Sequence, residues 1–126
     1  MYRLFVFCLI IFNSCDFFNP NEIKLISNAQ FIDIEGHDYT LVDVRTTKEY
    51  ESGHIPNAIS IDFNSKAFEN KILKLDKRSS IVLYCRTQNR SAKAANFLKE
   101  NNYEDISIIL GGINSWVKNG NEIDYN

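Results

Sequence analysis

The chain has 126 residues, is 44% apolar and 24% charged, and carries a formal net charge of -2. That length supports one domain around one core and excludes a multi-domain assembly. The mildly acidic balance argues against general nucleic-acid binding, which relies on clustered cations to neutralise phosphates.

The amino terminus reads differently from the rest. Arg3 is followed by nine apolar residues, 4–12, too few for a bilayer-spanning helix, which needs about 20. A basic start and a short apolar run have the form of a secretory signal. Phe12-Asn13-Ser14-Cys15 follows at once, and a small residue directly before a cysteine resembles the lipobox of bacterial lipoproteins. The expectation is a signal peptide over 1–14, lipidation of Cys15, a tether over 15–21 and a folded domain over 22–126. This chain would then be a bacterial periplasmic protein or a lipoprotein held at the membrane by its anchor. Cleavage removes Cys8 and Arg3, so the charge becomes -2 - 1 = -3, and Cys85 is left as the one free thiol with no partner for an internal disulfide.

Beyond the tether, strands and helices alternate. Residues 22–26 form a short strand candidate, and Ser27 is placed to cap a brief helix through residue 34. Gly36-His37-Asp38 reads as a turn. Residues 39–44, rich in branched apolar side chains, predict a strong strand. Thr46 with Glu49 three residues on is a capping box, so a short helix runs to about Ser52 and ends at Gly53. Residues 59–62 predict another strand, and residues 66–75 place Ala67, Phe68, Ile72, Leu73 and Leu75 at helical spacing. The apolar run 80–84 is of the kind found in central parallel strands. Residues 91–101 predict a helix that buries Ala94, Ala95, Phe97 and Leu98. Residues 106–110 predict a strand broken by Gly111-Gly112, and residues 113–118 a last helix with Trp116 in the core. The alternation implies an α/β domain with a mostly parallel sheet covered by helices on both faces, and with its site at the carboxyl ends of the strands.

Cys85 closes the 80–84 run and opens the segment Cys85-Arg86-Thr87-Gln88-Asn89-Arg90-Ser91. Between Lys77 and Lys99 lie six cations (Lys77, Arg78, Arg86, Arg90, Lys93, Lys99) and no Asp or Glu. Such a field favours thiolate over thiol. Taken alone, a cysteine ending a strand is more often a small buried hydrophobe. Arg90 shifts the balance. An arginine in the first turn of a helix opposes the macrodipole at a cost of a few tenths to about 1 kcal/mol, and binding an anion together with the helix amides is the task that accounts for it.

Leu41-Val42-Asp43-Val44-Arg45, Glu49-Tyr50, Gly53-His54-Ile55-Pro56-Asn57-Ala58, the loop from Cys85 to Ser91, and Leu110-Gly111-Gly112 followed by Trp116 together resemble a single-domain rhodanese, in order and spacing, over roughly residues 22–120. The resemblance implies a five-stranded parallel core and sulfurtransferase activity through a persulfide on Cys85, with no metal or organic cofactor. The small sulfane donor is thiosulfate or a persulfide, and the acceptor a thiol or cyanide. Backbone N–H groups of 86–90 (Arg86, Thr87, Gln88, Asn89 and Arg90) then form a nest for the anionic sulfur, with Arg90 holding it and Arg86 receiving the donor at the rim. Asp43 and Arg45 serve as a supporting pair beside the site, and His54 stabilises its turn. Phosphatases of related fold carry a loop one residue longer and commonly a His before the Cys, where this chain has Tyr84; the shorter loop suits sulfur better than phosphoryl. Many rhodanese loops have Gly where Gln88 stands, so Gln88 must adopt an ordinary conformation or bear strain of about 1 kcal/mol or more. No His/Cys/Asp cluster has metal-ligand spacing, and the chain is expected to be a monomer. The competing readings are a non-catalytic rhodanese module that binds a partner or presents sulfur, and a thiol redox protein forming mixed disulfides through Cys85.

Overall fold

A strand buried on both faces must be apolar in succession rather than in alternation, and the run 80–84 meets that condition. In the computed structural model, which describes residues 22–34 and 36–125, it forms the central strand β4 (Ser80–Tyr84) of a five-stranded sheet in the order β1-β5-β4-β2-β3. The partners are β1 (Lys24–Ile26), β2 (Thr40–Asp43), β3 (Ile59–Ser60) and β5 (Asp105–Ile109), and every pairing is parallel. The signal, tether and Cys15 readings lie outside the described residues.

Among the described residues four helices connect successive strands, α1 (Asn28–Asp33), α2 (Thr47–Glu51), α3 (Phe68–Ile72) and α4 (Asn89–Glu100), and a fifth, α5 (Gly112–Lys118), follows β5. The two-residue period of a strand sorts them into layers. Ile81, Leu83 and Cys85 join Val42, Val44 and Ile108 in a core against Phe68 and Ile72 of α3 and Ala94, Ala95 and Leu98 of α4. Val82 and Tyr84 face the other way, with Leu41 and Ile109, onto Phe31 of α1 and Ile113 and Trp116 of α5. Each fully buried aliphatic side chain contributes about 1.5–3 kcal/mol, and Ile81 and Leu83 are wholly inaccessible.

Local signals explain where the helices start. Ser27 and Thr46 both cap their helices in complete capping boxes, with Gln30 and Glu49 reaching back. Several boundaries shift by one to three residues, and two of the shifts have a local cause. The helical spacing over 66–75 yields only Phe68–Ile72, because Ser65 folds the chain before it into a turn (its Oγ and carbonyl accept from Ala67 and Phe68 at 3.1 and 3.0 Å) and three-residue turns follow it at Lys74 and Leu75. Helix α4 begins at Asn89 rather than Ser91, because the Gln88 carbonyl already accepts from Ala92 N–H at 2.9 Å.

Candidate active site

Strand β4 delivers Cys85 to the carboxyl edge of the sheet, where Val44 N–H extends the β2 pairing by donating to the Tyr84 carbonyl at 3.0 Å. Cys85 itself is 1% exposed and free of any disulfide. The loop beyond it is open: Arg86, Thr87 and Asn89 are exposed, and Gln88 and Arg90 half-buried.

Helix α5 fixes this loop from behind. Ile113 and Asn114 donate to the carbonyls of Cys85 and Arg86 at 2.9 and 3.1 Å. The approach needs glycine at 112: a Cβ there would lie 2.3 Å from the Cys85 carbonyl oxygen, and the backbone turns through φ +56°. Because a trans peptide sets its N–H opposite its C=O, carbonyls turned toward α5 turn the N–H groups of Arg86 and Thr87 away from it. The amides of Asn89, Arg90 and Ser91 begin α4 and lie before its first intrahelical donor, the Ala92 N–H. Among the described residues, no intrachain hydrogen bond takes up the N–H of Arg86, Thr87, Gln88, Asn89 or Arg90. Five successive donors are thus available beside one buried sulfur, at the positive end of a twelve-residue helix.

Ser91 adds a group that sequence reading did not single out. Its hydroxyl donates to the Gln88 carbonyl at 3.0 Å and sits 3.4 Å from Cys85 Sγ. When the sulfur is a thiol, its hydrogen has an acceptor in that oxygen; when the sulfur is ionised, the hydroxyl can rotate to donate to it. Gln88 has φ -158°, outside the left-handed region, so it carries no left-handed strain.

Arg90 has a protein partner that the sequence did not announce. Its Nη1 and Nη2 donate to the two oxygens of Glu49 at 2.7 and 3.0 Å, tying α4 to α2. Hydrogen bonding from Arg90 comes first among the causes that hold the Glu49 carboxyl down at about 2. The same Glu49 oxygen that bonds Arg90 also accepts from Thr46 Oγ1 at 3.1 Å. The guanidinium remains within electrostatic range of Cys85. Arg86 is exposed and, among the described residues, has no carboxylate partner.

Asp43 and Arg45 form a buried ion pair at the end of β2. The Asp43 carboxylate accepts from Arg45 Nε at 3.0 Å, from Nη2 at 2.7 Å and from the Arg45 amide at 2.9 Å. Nη2 also donates to the Gly53 carbonyl at 2.7 Å, and the guanidinium lies 5.8 Å from the centre of the Tyr84 ring. Burial, and next the Asp43 charge, push the Tyr84 phenol well above its ordinary range; it stays protonated and accepts from the Ile55 amide at 3.0 Å. His54 is buried, with its ring stacked 3.8 Å from Tyr50 and its backbone bridged to Asp124. It holds its turn, as expected. Among the described residues, no group of three His, Cys, Asp or Glu side chains is arranged to hold a metal ion.

The chain is similar to several known proteins. A profile of the Rhodanese-like domain matches residues 27–119. A sulfurtransferase of Allochromatium vinosum is 31% identical over 79% of this chain and 91% of its own length. The tRNA uridine(34) hydroxylase of Buchnera aphidicola is 32% identical over 82% of this chain, but the match spans only 35% of that protein, about a third of its length. Among solved structures, a rhodanese-related protein from Thermoplasma volcanium superposes with a TM-score of 0.72 at 28% identity, covering 82% of this chain and 99% of its own. A rhodanese-like domain protein from Staphylococcus aureus gives 0.70 at 26% identity, covering 82% and 99%.

Proposed function

We propose a sulfur-transfer function from one premise: the chain belongs to the Rhodanese-like domain family. In this reading the Cys85 thiolate attacks the outer sulfur of thiosulfate or of a persulfide donor. With thiosulfate, the new bond is Cys85 S–S, the donor S–S bond breaks, and sulfite leaves with the bonding pair. The enzyme-bound persulfide then yields its outer sulfur to a thiol or cyanide, regenerating the thiolate. The observation that carries the reading is the set of unused amides of residues 86–90 around a buried thiol. They stabilise the negative charge on a buried sulfur and cost no reorganisation when the charge arrives. The near-complete burial of Cys85 suits a cargo of one atom.

Intact mass after treatment with thiosulfate, and separately with an alkyl persulfide, tests this directly. The expected outcome is a gain of one sulfur atom on the full chain and none on Cys85→Ser. Absence of any gain with either donor would leave the partner-binding module as the better reading. The proposal extends to location: Ser14-Cys15 after the apolar run supports export and lipidation, and incorporation of labelled palmitate, lost in Cys15→Ala, is its test.

A further inference from the structure

We propose that Glu49 sets the donor preference at Cys85, holding the site close to neutral so that a persulfide on a low-charge carrier is taken in preference to a dianion such as thiosulfate. This rests on the sulfur-transfer reading and specifies its substrate class.

The argument starts from which charges remain available. Arg45 is matched by Asp43 in a buried pair with every polar atom of the carboxylate engaged. Arg90 is matched by Glu49 through both of its terminal nitrogens. Of the three arginines around the loop, only Arg86 has no carboxylate partner among the described residues. A Cys85 thiolate beside one uncommitted guanidinium leaves little positive charge to attract a second anion.

The two donor classes make different demands on such a site. Thiosulfate approaches with two negative charges, reacts with a third on the thiolate, and departs as sulfite with two, so repulsion opposes it throughout unless cations offset it. A protonated persulfide, R–S–SH, approaches neutral. The thiolate forms a bond to its outer sulfur, the donor's own S–S bond breaks, and R–S⁻ leaves with the bonding pair and the one negative charge, while Cys85 carries the outer sulfur as Cys85 S–SH. The amides of 86–90 suffice for the single charge that remains when that proton is lost.

Glu49 acts through Arg90 and is therefore a positioning residue. Its location makes the idea testable without disturbing the fold. Gln is an accepted residue at the third position of a capping box, so Glu49→Gln can keep the bond to the Thr46 amide through its one oxygen while removing the charge and one of the two acceptors that occupy Arg90.

The experiment measures initial rates of sulfur transfer to cyanide by the full chain, with thiosulfate and with the persulfide of 2-mercaptoethanol as donors. In Glu49→Gln, KM for thiosulfate is expected to fall about tenfold with kcat within about twofold, as one released charge meets a dianion in a partly screened site. Both constants for the alkyl persulfide stay within about twofold. Arg90→Gln, which leaves Glu49 unopposed, raises KM for thiosulfate. An unchanged thiosulfate KM in Glu49→Gln, or an equal shift for both donors, overturns the assignment while leaving sulfur transfer intact. Failure of both donors to load wild-type Cys85 overturns the assignment and the sulfur-transfer reading together.

Discussion

Two arginine–carboxylate pairs flank the Cys85 loop, and they differ in everything except chemistry. Asp43–Arg45 joins neighbours two residues apart in sequence, at 0% and 7% side-chain exposure, with both carboxylate oxygens bonded and Arg45 Nη2 also held by the Gly53 carbonyl. Glu49–Arg90 joins two helices across 41 residues, at 33% and 22% exposure. A buried pair cannot be half removed, because the remaining charge has no water to turn to. A rim pair can open and exchange partners, because solvent and incoming anions compete for each half. The first therefore belongs to the architecture, and the second is available to the chemistry.

The strongest way to break this contrast is to remove one member of the inner pair. Arg45→Met leaves the Asp43 charge buried and uncompensated and is expected to cost about 3–5 kcal/mol in urea unfolding. A loss as small as a surface substitution would show that the pair is not structural.

Acid sharpens the contrast at the rim. Glu49 is held near 2 against an ordinary 4.5, with hydrogen bonding from Arg90 the largest cause. A carboxyl with a depressed folded-state pKa contributes its full stabilisation above the unfolded value and loses it as pH falls through the folded one. Its share should be complete above about pH 4.5 and fade toward pH 2. Partial exposure screens it to about 1 kcal/mol. Comparing wild type with Glu49→Gln across that window checks both sign and size: the two stabilities should converge as the pH drops.

The smallest effect is expected between the pairs, in the loop itself. Since Gln88 is not left-handed, Gln88→Gly relieves no left-handed strain. It should lower stability by less than about 1 kcal/mol through the added freedom of the unfolded chain, with sulfur loading by intact mass unchanged.

The comparison also marks what the sequence could convey. Whatever depends on short-range pattern was legible: five strands from runs of branched apolar residues, Cys85 at the end of the most buried run, caps from Ser27 and Thr46. The Asp43–Arg45 pair lay within the same motif and could be anticipated. Glu49 was visible only as a cap, because nothing local connects it to a residue 41 positions away. Gly111-Gly112 was visible as a strand breaker, but its second function, admitting α5 against the Cys85 carbonyl, exists only in three dimensions. Ser91 was hidden likewise: its distance to the sulfur depends on where α4 begins, and α4 begins two residues before the apolar spacing suggests.

The grip of α5 on the two carbonyls behind the loop has one more consequence. A thiol anchored at its own backbone and at its neighbour's cannot swing outward on a mobile arm. On the sulfur-transfer proposal, a molecule that collects sulfur here must insert its own nucleophile through the opening, a demand that favours slender, projecting acceptors over recessed ones. The protein is a fixed berth, and traffic has to come to it.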